Sequence, residues 1–366
     1  MRIAVIGPTH PYKGGIAQYT TELAHRLTAL GHEVRLESWS HQYPSRLYPG
    51  RLTIDKPELP PFPRTHRRLS WRRPDSWYAC GRRLRDHDLV VLVVASPVQM
   101  PAYRGVLAGL GRRRRARVVT QCHNVLPHER RPSDEALISG LLTRVDGVLT
   151  HSDDQARIAT SLTGVPVVAE QLAPLVVARA TSRVYDGALH RRLLFFGLVR
   201  PYKGVDVLLR ALAAGPPDVA LTVAGEFWGD TPAVADRMVR ELGLSGRVEL
   251  RPGYVEAEQV PALFRGVDAL ALPYRSVTAS VNPYLAFEHG VPVIASRIGT
   301  LPDDVQDGVD GLLVVPDDVD SLTSALRRLY TDDTALRLRA AVCPPDAEPQ
   351  WSRYLKALTS FAEDRQ

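Results

Sequence analysis

Arg192-Leu193-Leu194-Phe195-Phe196-Gly197-Leu198-Val199-Arg200-Pro201-Tyr202-Lys203-Gly204 is an apolar run that breaks into a loop punctuated by glycine and proline. The amphipathic stretch Val205–Ala213 follows, so the segment reads as strand, turn and helix, the repeating unit of a parallel sheet. Two cations three residues apart sit at the end of that strand. Arg200 through its planar fork and Lys203 as a point charge can together grip a diphosphate. Lys203 is one of only four lysines in a chain with 42 arginines.

The same pattern extends in both directions. Strands are expected at Arg2–Ile6, Glu33–Ser38, Leu89–Ala95, Val118–Cys122, Gly147–His151 and Val167–Glu170, and the series restarts near residue 190. From there it runs through Arg192–Gly197, Ala220–Gly225, Val248–Pro252, Ala269–Pro273, Pro292–Ser296 and Gly311–Val315. The polar segment Arg179 to His190 lacks apolar periodicity and is expected to be the linker. The expectation is therefore an α/β chain of two doubly wound domains, residues 1–183 and 184–345. Residues 346–366 carry Trp351, Tyr354, Leu355, Leu358 and Phe361 at helical spacing and are expected to return to the N-terminal domain. Ligands in open parallel sheets bind at the carboxyl ends of strands, which here would face a cleft.

A chain of 366 residues with 45% hydrophobic and 23% charged residues is too long for a disulfide scaffold and too apolar for a disordered tail. Cys80, Cys122 and Cys343 are an odd number without metal-ligand spacing, so a reduced, cytoplasmic setting is expected. The longest apolar strand run, Leu89 to Ala95, is far short of the roughly 20 residues that cross a bilayer. Charge is uneven, with residues 1–185 at +12 and residues 186–366 at −6. Arginines crowd between Arg64 and Arg85 and at Arg112-Arg113-Arg114-Arg115. Such a face suits nucleic acid, an anionic membrane or a phosphorylated substrate, or is simply solvated loop; no nucleic-acid reading motif accompanies it.

Four more strand ends carry candidate chemistry. After the first strand, the loop containing Lys13, Gly14 and Gly15 opens a helix with Tyr19, Leu23 and Leu27 on one face. Its glycines let backbone amides approach an anion, but it is not the G-x-G-x-x-G dinucleotide pattern, which disfavours a nicotinamide enzyme. Pro273 to Pro283 is a hydroxyl-rich loop in which Ser280, Val281 and Asn282 would offer donors at a helix start. Ala224-Gly225-Glu226 and Gly253-Tyr254-Val255 are further strand-end turns. The acidic pairs Asp153-Asp154, Asp303-Asp304, Asp317-Asp318 and Asp332-Asp333 lie near helix starts and read as caps; no metal site is expected.

With Gly290-Val291-Pro292-Val293-Ile294-Ala295-Ser296 and Asp307-Gly308-Val309-Asp310-Gly311-Leu312-Leu313-Val314, these segments resemble the family-four nucleotide-sugar glycosyltransferases. The resemblance implies the GT-B fold, two Rossmann-like domains with parallel sheets facing across a cleft. It implies retaining, metal-independent transfer from a nucleoside diphosphate sugar, UDP- or GDP-linked, to a hydroxyl acceptor in cell-envelope or natural-product glycoside assembly. No separate cofactor is implied. Arg200 and Lys203 match the family's diphosphate-holding positions, with Gly15, Ser280, Val281 and Asn282 as further diphosphate contacts. Glu226, Tyr254 and Val255 fall on the nucleotide side, and Lys13 and Gly14 on the acceptor side. His123, in Gln121-Cys122-His123-Asn124, matches a histidine near the transferred sugar. The family's paired glutamates would fall at Val277 and Leu285, so neither acid is present; Glu288, one helical turn on, either reaches toward the ribose or is a solvated helix residue. That departure keeps open a non-catalytic sugar-nucleotide-binding subunit and a nucleotide-sugar epimerase. The basic N-terminal half suits peripheral contact with the inner membrane face.

Overall fold

The computed structural model describes residues 1–44, 52–57, 59–112, 114–175 and 188–363. Arg113, and residues 179–187 of the expected linker with the 183/184 boundary, lie outside them. The chain divides into two compact units, Met1–Val177 with Ala347–Gln366, and Ala178–Asp346.

The first unit carries β1 (Arg2–Ile6), α1 (Gly15–Ala29), β2 (Glu33–His41), β3 (Thr65–Ser70), α2 (Asp75–Arg83), β4 (Leu89–Val94), α3 (Met100–Leu110), β5 (Arg117–Cys122), α4 (Asp134–Leu142), β6 (Gly147–Thr150), α5 (Asp153–Leu162) and β7 (Val167–Ala169). Its sheet has the order β3-β2-β1-β4-β5-β6-β7, with every neighbouring pair parallel. Helices cover both faces of such a sheet, which is why β4 is continuous Leu-Val-Val-Leu-Val-Val and wholly buried. β3 is not foreseen by the apolar pattern. It is the sheet's edge, with Arg67 and Arg68 exposed and only Leu69 and Ser70 buried, as a charged edge strand should be.

The second unit follows with β8 (Arg192–Phe196), α6 (Val205–Ala214), β9 (Ala220–Gly225), α7 (Thr231–Glu241), β10 (Val248–Pro252), α8 (Val260–Phe264), β11 (Ala269–Leu272), α9 (Asn282–Glu288), β12 (Val293–Ser296), α10 (Leu301–Asp304), β13 (Gly311–Val314), α11 (Val319–Leu329) and α12 (Thr334–Ala341). Its parallel sheet runs β10-β9-β8-β11-β12-β13.

The last helix, α13 (Ala347–Glu363), packs within the first unit. The Trp351 indole N–H donates to the Pro174 carbonyl at 3.0 Å, and the Phe361 ring fills the space where a Cβ on Gly147 would stand. Two helices of this unit touch almost backbone to backbone. A Cβ on Gly81 would collide with the Val106 carbonyl, and one on Gly109 with that of Tyr78, so α2 and α3 close onto each other through glycine. Among the described residues, no helix is long and apolar enough to cross a membrane.

Candidate functional site

In each sheet the strand order reverses once, between β1 and β4 in the first unit and between β8 and β11 in the second. Loops leaving the two flanking strands turn apart there and open a crevice at the carboxyl ends. In the second unit the loops are residues 197–204 and 273–281, the two segments singled out for an anion.

The first loop is tightly built. Arg200 precedes a short 3-10 turn, Pro201–Lys203, closed by the Lys203 amide donating to the Arg200 carbonyl at 2.9 Å. Gly204 then adopts φ 69°, and a Cβ there would collide with the Pro273 carbonyl, so only glycine lets this loop lie against its neighbour and start α6. The Arg200 guanidinium lies 4.0 Å from the centre of the Trp228 ring, a cation–π contact. The ends of β8 and β9 are zipped beyond the sheet: the Val199 amide donates to Glu226 O at 2.7 Å and the Trp228 amide to Val199 O at 3.0 Å.

Lys203 meets the second loop. Its Nζ donates to the Tyr274 hydroxyl at 3.0 Å and lies 4.4 Å from that ring's centre. The same hydroxyl accepts from Asn282 Nδ2 at 3.1 Å, and Asn282 Nδ2 also donates to the Phe196 carbonyl at 3.0 Å. Both hydrogens of that amide are thus used, which fixes its orientation. Burial works against the Lys203 ammonium, but Tyr274 and Tyr202 outweigh it and the pKa is raised. Among the described residues no carboxylate forms an ion pair with Lys203. The result is a half-buried cation fixed by neutral partners.

Arg275, which the sequence reading does not single out, braces this arrangement. Its amide donates to Tyr202 O at 2.7 Å, and Nη1 donates to Pro201 O at 2.9 Å. The guanidinium forks onto both Asp206 oxygens at 2.7 Å and reaches Asp317 Oδ1 at 2.7 Å. Burial alone would raise the Asp206 carboxyl; the Arg275 bond holds it below the ordinary range. One side chain therefore ties the 3-10 turn to the starts of α6 and α11. No local pattern announces it, since Asp206 and Arg275 lie 69 residues apart.

The strand order β10-β9-β8-β11 brings the loops bearing Tyr254 and Val255, Glu226, Arg200 and Lys203, and Ser280 to Asn282 side by side along one edge of the sheet. Gly253 N donates to Gly225 O at 2.9 Å, linking the first two. The Asn282 amide donates to Ser280 Oγ at 3.3 Å, with Val281 between them at the helix cap. Glu288 stands at the opposite end of α9, about 9 Å along the axis from Asn282. It is buried, Oε1 has no hydrogen-bond partner among the described residues, and burial pushes its carboxyl up to about 7. Of the acidic pairs, Asp318 is a true cap, accepting from the Ser321 amide at 2.8 Å. Asp304 instead accepts from Tyr284 and from Thr300, and Asp333 caps nothing with its side chain.

In the first unit, Lys13, Gly14 and Gly15 follow β1 and His123 follows β5. Gly15 thus belongs to the first unit and Lys203 to the second. Gly14 has φ 94°, no side chain caps α1, and the positions where Cβ atoms would stand on Gly14 and Gly15 are open space. His123 is 9% exposed and packs edge-on against Tyr19, with ring centres 5.6 Å apart, and 4.9 Å from His151. Burial first, then His151, holds its pKa well below the ordinary value, so the imidazole is neutral. Tyr19 stacks at 4.8 Å on Trp351, whose ring also lies 4.8 Å from the Arg26 guanidinium. Tyr354 meets His151 at 5.8 Å. His151, Trp351 and Tyr354 are additions to the residues expected around His123.

Residues 13–169 match the model described as Glycosyltransferase Family 4, and residues 190–332 that described as Glycosyl transferases group 1. The D-inositol 3-phosphate glycosyltransferase of Mycolicibacterium gilvum is 33% identical over 198 residues, 53% of this chain and 44% of the relative. The chain thus spans about half the length of the curated relatives it matches. Among solved structures, the Anabaena protein HepE, in complex with UDP and glucose, has a TM-score of 0.76 at 15% identity, covering 98% of this chain and 100% of its own. Sucrose-phosphate synthase from Thermosynechococcus elongatus has a TM-score of 0.70 at 18% identity, covering 98% and 99%. With two parallel-sheet α/β units, each matched by a glycosyltransferase model, the chain belongs to the family-four glycosyltransferases and has the GT-B fold.

Proposed function

We propose that the chain transfers a sugar from a nucleoside diphosphate donor, UDP- or GDP-linked, to an acceptor hydroxyl with retention of anomeric configuration. The observation that carries this reading is Lys203, a cation held at a strand-end crevice by Tyr274 and without an ion-paired carboxylate among the described residues. A diphosphate is the counter-charge that such a site lacks. Charge grows on the diphosphate as the anomeric carbon–oxygen bond breaks, and fixed donors stabilise it at little reorganisation cost. Arg200, Lys203 and the donors at Ser280 and Val281 do this in the second unit, with Asn282 fixing the Tyr274 hydroxyl beneath Lys203 and Gly15 amides as a further contact. Glu226, Tyr254 and Val255 take the nucleotide side, and Glu288 is the acid offered to the ribose.

Neutral His123 acts as a hydrogen-bonding contact to the sugar, not as a cationic acid. The acceptor hydroxyl attacks on the face the phosphate leaves, and the departing phosphate takes its proton. Lys13 and Gly14 lie on the acceptor side, and the acceptor belongs to cell-envelope or natural-product glycoside assembly. The chain works in the cytoplasm, its basic half toward the inner membrane face.

Calorimetric titration with UDP, GDP, dTDP and ADP tests the reading. One nucleotide should bind selectively, and Arg200→Ala and Lys203→Ala should each weaken it by roughly 100-fold. Absence of binding by all four overturns it. Val277 and Leu285, standing where the family carries glutamates, favour a second reading as a non-catalytic sugar-nucleotide-binding subunit. Donor binding without transfer to any of a broad acceptor panel would select it.

A further inference from the structure

The edge of the first unit around β3 and α2 combines charge with exposed aromatic surface. Residues 64–85 hold eight arginines and a single acid, Asp75, which is paired with Arg73 at 2.7 Å. Arg67 is tied to the His10 carbonyl, Arg83 to Glu37 and Arg85 to the Gly109 carbonyl. Arg68, Arg72 and Arg82 remain exposed and make no ion pair among the described residues. Between them stand Trp71, 38% exposed, and Tyr78, 47% exposed.

This exposure is built into the backbone. Ser70 to Arg73 form a tight turn, with the Arg73 amide donating to Ser70 O at 3.1 Å and the Trp71 amide to His41 O at 3.0 Å. Ser76 Oγ donates to Arg73 O at 2.6 Å and accepts from the Ser70 amide at 3.1 Å. Trp71 and Arg72 thus occupy the tip of a turn hydrogen-bonded at both ends, with the Arg72 guanidinium 5.6 Å from the Trp71 ring. Tyr78 and Arg82 lie one turn apart on α2, their backbones against Gly109 of α3 and their side chains exposed beside that contact. Single surface apolar residues need no explanation, but two aromatics on a fixed backbone among three arginines that form no ion pair among the described residues are a different arrangement. Aromatic rings with a polar edge settle at headgroup depth, and arginines beside them meet lipid phosphates.

We propose that the Ser70–Arg73 turn and the exposed side chains of α2 dock on an anionic bilayer. Trp71 and Tyr78 enter the headgroup region, and Arg68, Arg72 and Arg82 meet lipid phosphates. The inference rests on the membrane-facing part of the function proposed above and gives it a location.

Co-sedimentation of the full chain with phosphatidylcholine vesicles, with and without about one third phosphatidylglycerol, tests it. Binding is expected only to the anionic vesicles and should fall as salt rises. Each of Arg68→Ser, Arg72→Ser and Arg82→Ser should weaken it about fivefold. Trp71→Ala with Tyr78→Ala should weaken it about tenfold. Equal binding to both vesicle types, or variants that bind as the wild type does, overturns the proposal. So does a single-stranded oligonucleotide that displaces the vesicles and is retained after the aromatic substitutions, because that pattern marks a nucleic-acid site. Nucleotide titration of the same variants confirms that they are folded. A wild type that binds vesicles but no nucleotide would leave this surface standing and sink the transferase reading instead.

Discussion

Tyr274 holds the Lys203 ammonium and the Asn282 amide on one phenol oxygen. Tyr274→Phe keeps the ring under Lys203 but removes that oxygen, leaving the ammonium with the ring alone and Asn282 with one amide bond. The net loss for such a buried pair of bonds is about 1–2 kcal/mol. Nucleotide affinity is expected to fall about tenfold, with a lower unfolding temperature; calorimetry and thermal melts of the variant check both. Unchanged affinity would mean that Lys203 is placed without the phenol. At this scale the sequence was informative where chemistry is local. Arg200 and Lys203 stand at a strand end three residues apart, and the fold keeps them together on a single 3-10 turn. Tyr274 lay within a quoted loop, yet its role appears only when a residue 71 positions away folds onto it.

Elements read as clearly as their burial is one-sided or complete. β4 and β11 are buried throughout and stand out as apolar runs, whereas β3 is an edge strand buried only at Leu69 and Ser70 and leaves no such trace. The Arg275 clamp was invisible for a related reason, since it joins the 3-10 turn, α6 and α11 across 42 to 74 residues. Arg275→Ala removes four side-chain bonds and leaves Asp206 half-buried without its forked partner. The turn carrying Lys203 should loosen: KM for the donor is expected to rise about tenfold while kcat changes less, because positioning is lost before chemistry. Steady-state kinetics on Arg275→Ala and Arg275→Lys measure the split. Lysine, a point charge that cannot fork, should restore only part of the affinity. Equal losses in kcat and KM, or none, would remove Arg275 from the site.

For the whole molecule, the neutral imidazoles under α13 couple stability to pH. Burial lowers the His151 pKa to about 4, against an ordinary value of 6.5. Between those values the unfolded chain binds a proton that the folded chain does not, so stability is complete above pH 6.5 and is lost as pH falls toward 4. A shift of this size corresponds to about 3 kcal/mol. His123, lowered by burial and by His151, adds in the same direction. Thermal melts at pH 7.5 and about 4.5 should show a drop in unfolding temperature for the wild type that His151→Gln reduces. An equal drop in both proteins would assign the acid sensitivity to the carboxylates.

That helix has a consequence for the order in which the molecule is made. The first unit's sheet is complete in sequence by Ala169, but Tyr19 and His151 receive Trp351 and Tyr354 only after the 169 residues Ala178–Asp346 have been translated. At about 5–20 residues per second that is an interval of about 10–30 s in which an apolar groove on a nearly finished domain lies open beside the ribosome. The first domain begun is the last to be closed.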